Sequence, residues 1–144
     1  MPPDAVKDFR QAGKCLAFDL DTSAGFHVIR AAETLIRKYY SAVTGVQEMK
    51  SKDRNWGAYV RNLKSQLEQG NKQVNPKIIA LIDQVREHHR NPVMHPEVTL
   101  SPAEALSLFN IAQSVIISLA TELTRINPGG QLALSSPAGL LAAS

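Results

Sequence analysis

Every segment of this chain with a regular hydrophobic period repeats at helical spacing, and most are bounded by a proline, a glycine or a capping side chain. Alternation of the kind a sheet needs is confined to short, ambiguous runs. The expected fold is therefore all-α: an up-and-down bundle of four to five helices over residues 1–126, followed by a flexible tail, 127–144, rich in Pro, Gly, Ser and Ala. A length of 144 residues suits one domain with a real core.

The segments can be placed individually. "DAVKDFRQAGKCLAFDL" spaces Val6, Phe9, Leu16 and Leu20 near one helix face, with Asp4 as the expected N-cap. A second helix is expected from residues 21–23, with a stripe of Val28, Ile29, Ala32, Leu35, Ile36, Tyr39 and Val43 and a stop at Gly45. The spacing leaves open whether these two helices are separate. "NWGAYVRNLKSQLEQGN" aligns Trp56, Tyr59 or Val60, Leu63 and Leu67 before Gly70. Asn75 and Pro76 open a fourth helix, which should stop near Arg90 because Pro92 disfavours helical geometry at Asn91. "SPAE" at 101–104 is a capping box with proline at the first helical position. The helix after it is apolar on two sides, since Ile111 and Ile117 lie off the main stripe. Such a helix is either central or packed against another subunit.

No stretch reads as a membrane span of about 18 or more apolar residues, and the N-terminus has no secretory pattern. Cys15 is a lone cysteine among apolar neighbours, the pattern of a buried thiol in a reducing compartment, so a cytoplasmic location is expected. Residues 37–90 hold eleven Lys and Arg against five Asp and Glu, a basic middle between slightly acidic flanks. That suits an anionic partner such as RNA, and equally a solvated polar face. Phosphate-loop glycine motifs are absent, so nucleotide hydrolysis has no support.

The chemistry concentrates in "HHRNPVMHP", residues 88–96, which holds three of the four histidines. Arg90 offers a permanently charged planar fork for phosphate oxygens, and His95 can exchange a proton near neutral pH. On an unbroken helix, five residues would turn them about 140° apart. Pro92 interrupts that geometry and lets His95 return toward the arginine. His88 and His89 diverge by about 100° on a helix, and no set of acidic or thiol ligands joins them, so no metal or other cofactor is expected.

"RNPVMH" resembles the R-N-x-x-x-H motif of the HEPN superfamily, and "AGFHVIRAAETLIRKYY" is similar to the second helix of those domains. The resemblance covers roughly residues 5–126. It implies a small helical domain that commonly forms a homodimer and, in many members, acts as a metal-independent endoribonuclease in toxin–antitoxin, phage-defence or RNA-processing systems. On that basis Arg90 and His95 would be catalytic and Asn91 would shape the site. Glu33 is the best match to an acidic residue on an earlier helix. Arg86, Arg37, Lys50, Lys52 and Arg54 would collect RNA backbone, and an antitoxin or regulatory protein would be a possible partner. Other members are inactive, so the alternative is a module that dimerises, binds nucleotide or docks a partner.

Local alternatives stand beside these roles. Glu33 lies at i+3 from Arg30 and i−4 from Arg37, so ordinary helix ion pairs would explain it. Arg86, one turn before Arg90, could extend a phosphate surface or pair with Asp83. His27 reads as structural, His89 as a core histidine, and Trp56 with Tyr59 as core anchors rather than base-stacking surfaces. Tyr39 and Tyr40 should divide, one inward and one free.

Overall fold

The computed structural model describes residues 1–47, 55–90, 95, 97 and 99–128. Five helices pack into one bundle: α1 (Pro3–Ala17), α2 (Asp21–Thr44), α3 (Trp56–Glu68), α4 (Pro76–Val85) and α5 (Pro102–Ile126). A π-helical turn, Arg86–Arg90, extends α4. No strand occurs among the described residues. The fold is the expected all-α bundle, and the residues assigned to the tail beyond Pro128 lie outside the described ones.

α2 is the central element, packed against α1, α3 and α5. Its expected stripe of Val28, Ile29, Ala32, Leu35, Ile36 and Tyr39 is buried almost completely. Gly45 takes a left-handed backbone, φ 74°, and ends the helix as a C-cap. The α1–α2 question is resolved by a break: Phe18–Leu20 form the reversal, with Asp19 at φ 57°.

Two details of α1 differ from expectation. Pro3 occupies the first turn and Pro2 is the N-cap, so Asp4 sits one step inside the helix, where its charge still favours the positive end. The face against α2 is built from Ala5, Ala12 and Cys15, with Phe9 half-buried; Leu20 is exposed in the turn. Small residues at the contact let the two helices approach closely. Phe9 instead stacks on Phe109 of α5, ring centroids 5.0 Å apart.

The side-chain caps read from sequence are made at α4 and α5, whereas α1 and α2 start without one. Asn75 Oδ1 accepts from Lys77 N at 3.0 Å, and Ser101 and Glu104 close both halves of the capping box. Trp56 is buried and donates from Nε1 to Ile82 O at 2.9 Å, tying α3 to α4. Leu67, expected on the same face, remains exposed.

Tyr39 and Tyr40 do not divide: both are buried, the second against Tyr59 of α3 and the first beneath the cap of α4. Tyr40 meets Tyr59 edge-on, with centroids 5.2 Å apart. Tyr39 Oη accepts from Asn75 N at 2.9 Å, and Asn75 Nδ2 donates to Glu122 Oε1 at 3.0 Å, so the cap of α4 joins α2 to α5.

α5 corrects the reading that no stretch has the composition of a membrane span. Its 25 residues include an 18-residue window of mean hydropathy 1.5, sufficient by length and composition, with a third of that window buried. Leu108, Ala112, Val115 and Leu119 enter the core, whereas Leu106 and Ile117 stay exposed and Ile111 packs partly against the core.

Burial raises the Tyr39 pKa above its ordinary value, partly offset by the hydrogen bond from Asn75. Its contribution to stability is thus fully present below the ordinary tyrosine value of about 10 and is lost as pH rises through the raised one. Tyr39→Phe is expected to lower stability near pH 7 by about 1–2 kcal/mol in urea unfolding, through the unpaired Asn75 N–H. The variant should also show a shallower alkaline decline than wild type. Equal slopes would mean that the phenol does not govern that limb.

Candidate functional site: an arginine docked on a distant glutamate

Arg90 is aimed by the way α4 ends. Regular α-helix gives way at Arg86 to the π-helical turn, which shifts side chains from the positions a continuous α-helix would give them. Pro92, just beyond, opposes further helix. At the end of this turn Arg90 reaches α2. Its Nε donates to Glu33 Oε1 at 3.2 Å, and its Nη2 lies 3.1 Å from the same oxygen. The contact is one-sided, with two nitrogens on one carboxylate oxygen, and the two side chains are 26% and 29% exposed. Part of the guanidinium therefore remains open to a second anion.

The helix pairs that spacing offered Glu33 are not made. Arg30 turns to Asp8, Nε to Oδ2 3.6 Å, and lies over the Phe26 ring at 5.8 Å. Arg37 donates from Nη2 to Thr34 Oγ1 at 3.2 Å. Glu33 thus serves a residue 57 positions away, between two exposed arginines of its own helix. It lies in the wall of two surface hollows: a small one of about 110 Å³ toward Trp56 and Tyr59, and a furrow of about 420 Å³ between α1 and α2.

Arg86 meets a local partner rather than a distant helix. Its Nε and Nη2 both donate to Asp83 Oδ1, at 3.0 and 2.8 Å, and Lys64 Nζ reaches Asp83 Oδ2 at 2.8 Å. Of the two roles open to Arg86, the ion pair is the one formed. The Lys64 hydrogen bond, followed by that of Arg86, holds the Asp83 carboxyl below its usual range against the effect of burial.

His95 lies exposed between α4 and α5, with no hydrogen bond or ion pair to any described residue. Asn91, Lys50, Lys52 and Arg54 lie outside the described residues, as does the His89 side chain. His88 is exposed and borders a groove between α3 and α4. Among the described residues no group of three or more His, Cys, Asp or Glu converges as a metal site. Trp56 and Tyr59 are core residues, as expected.

One contact escaped sequence reasoning. His27 Nδ1 lies 3.0 Å from Asp8 Oδ1, joining α2 to α1. The expectation of a structural histidine omitted its carboxylate partner, because the pairing depends on the register between helices and no local spacing reports it.

The arrangement can hold an anion. An arginine anchored through one edge by a carboxylate has its plane fixed while retaining donors for phosphate oxygens. No family model, curated protein or solved structure matches the chain.

Two measurements check this geometry. A double-mutant cycle with Glu33→Gln and Arg90→Gln should give a coupling of about 1 kcal/mol, the upper range for a partly exposed pair; a value near zero would rule out the link in solution. Asp83 has a depressed folded pKa, so its stabilisation is present above the unfolded carboxylate value and is lost as pH falls through the folded one. Asp83→Asn should accordingly flatten the acid limb of the stability profile.

Proposed function

We propose that the chain is a metal-independent endoribonuclease of the HEPN type, acting as a homodimer. The observation that carries this reading is the contact of Glu33 Oε1 with Arg90 Nη2 at 3.1 Å. The motif arginine and the acidic residue that the resemblance singles out on an earlier helix meet through space. His95, five residues further along the chain, is exposed and so accessible to a substrate.

In this reading Arg90 binds the non-bridging oxygens of the scissile phosphate, and Glu33 holds the guanidinium plane. His95 takes the proton of the 2′-hydroxyl as that oxygen attacks phosphorus. The bond from phosphorus to O2′ forms and the bond to O5′ breaks. The departing O5′ takes up a proton from water, which leaves 2′,3′-cyclic phosphate and 5′-hydroxyl ends. Asn91 would shape the site. Arg37, together with Lys50, Lys52 and Arg54, would gather backbone phosphates, giving affinity that falls with salt. A toxin–antitoxin or phage-defence setting is the one in which such a nuclease would need a restraining partner.

A non-catalytic docking module is the second reading, favoured by the fact that Glu33–Arg90 is itself a clamp between the end of α4 and α2. The two readings separate on one comparison. Wild type, Arg90→Ala and His95→Ala are incubated with mixed RNA in excess chelator, and the ends are analysed. Wild type should cleave, leaving cyclic phosphate ends, and each variant should lose at least about 100-fold in rate. Cleavage unaffected by His95→Ala would sink the assignment. No cleavage by folded wild type, with a lower melting temperature for Arg90→Ala, is the module's result.

A further inference from the structure

Besides Glu33 and Arg37, which the reading above already uses, the furrow between α1 and α2 carries chemistry that the Arg90 site does not use. On α2, Phe26, Arg30, Glu33 and Arg37 follow at i, i+4, i+7 and i+11, one stripe along the outer side of the helix. Arg30 and Arg37 are therefore about 10 Å apart along the axis, on either side of Glu33. Phe26 is 43% exposed, with its ring beneath the Arg30 guanidinium. From α1, Lys7 and Asp8 line the same furrow, and His27 faces them.

The acids here are largely engaged. Asp8 meets His27 at 3.0 Å and Arg30 at 3.6 Å, and Glu33 meets Arg90. Asp4 is the remaining carboxylate of the lining. On the other side, Lys7 and Arg37 form no ion pair with any described acid. The furrow thus offers cations and an imidazole fixed in orientation, and the part-exposed Phe26 ring, with one face under Arg30, meets that imidazole edge-on. The carboxylate at Nδ1 places a proton there, so Nε2 is the ring nitrogen left for a ligand.

We infer that this furrow is a single-stranded RNA subsite, separate from Arg90, in which Arg30 and Arg37 take phosphates, Phe26 takes a base, and His27, oriented by Asp8, accepts a hydrogen bond from a ribose 2′-hydroxyl. The inference rests on the RNA reading above and assigns to the furrow the strand leading away from the phosphate at Arg90. Stacking on the uncovered face of Phe26 selects single-stranded bases, since a base inside a duplex has both faces covered by its stacked neighbours. The 2′-hydroxyl contact makes His27 a determinant of RNA over DNA, because deoxyribose has no group to offer it. An inter-helix clamp made of the same residues would have no reason to distinguish the two.

The test uses the full chain carrying His95→Ala, so that probes stay uncut, with fluorescein-labelled single-stranded RNA and DNA 12-mers of one sequence followed by anisotropy. The parent should bind RNA about 5–10-fold more tightly than DNA, the worth of about one hydrogen bond. Arg30→Gln with Arg37→Gln, both at exposed positions, should weaken both probes by about 10-fold or more and lower the salt slope by about 1.4. His27→Phe should bring the RNA-to-DNA ratio near 1 while leaving DNA affinity in place. Thermal unfolding of each variant identifies any loss of fold. Unchanged RNA affinity in the folded arginine double variant overturns the subsite, as does an unchanged ratio in His27→Phe or a parent that binds no RNA. If wild type fails to cleave RNA while these binding effects appear, the nuclease reading falls and the subsite stands. Cleavage with a furrow insensitive to substitution gives the reverse.

Discussion

The helical period of α2 forces one element to serve two incompatible surroundings, and the rest of the molecule is arranged around that division. Val28, Ile29, Ala32, Leu35, Ile36 and Tyr39 must leave water, so other helices have to cover their side of α2. Fully burying one such side chain is worth about 1.5–3 kcal/mol, well above what a partly exposed ion pair contributes. Apolar burial therefore decides the orientation of α2, and the charged stripe of Arg30, Glu33 and Arg37 follows from it. Those residues face outward because the core takes the opposite side. What their neighbours can still choose is which partner each one meets.

That choice is made by helix ends. α4 starts where Asn75 bonds both Tyr39 Oη and Glu122, so the position of α4 beside α2 is fixed at its beginning. Trp56 secures its far half from α3. With both constraints in place, the π-helical turn determines where the last side chains of the helix go. Arg86 and Arg90 would share a face in a continuous α-helix, yet they end on different partners, Asp83 and Glu33. A single extra residue in the turn separates a locally neutralised arginine from one delivered to another helix. Functional chemistry at Arg90 would draw on that separation, because Arg86, held by Asp83 and by Glu87 at 3.4 Å, has fewer donors left for a phosphate.

Much of the architecture was legible because the rules that specify it act within one or two turns. Asn75–Pro76, Ser101 through Glu104 and Gly45 mark helix ends through bonds or backbone angles confined to their own neighbourhood. The inward stripe of α2 follows from periodicity alone. Where spacing failed, a partner from another helix had intervened. Tyr40 is covered by Tyr59, and α1 presents alanines where larger residues were expected inward. Glu33 is the instructive case. Its neighbours at three and four residues offered ordinary pairs, and the resemblance offered a role near the motif. The Arg90 contact follows from tertiary register, which local spacing does not encode. Asp8–His27 depends on the same kind of register, and no motif drew attention to it.

The partnerships on the α2 stripe also bear on how an anion could enter without tearing the fold. Phosphate approaching Arg90 does not have to displace Glu33, since the carboxylate engages the guanidinium through one oxygen and one edge. Displacement would forfeit the coupling of about 1 kcal/mol expected for this partly exposed pair. A ligand that uses the open edge keeps that coupling and gains bonds of its own. The same reasoning applies to Arg30, whose longer 3.6 Å contact to Asp8 is the weaker tie because His27 already holds that carboxylate at 3.0 Å. Arg30 can turn outward with less loss than Arg90. The stripe therefore joins a fixed arginine at its centre to more adaptable ones on either side. That order suits a surface on which one phosphate must be held in place while its neighbours need only be retained.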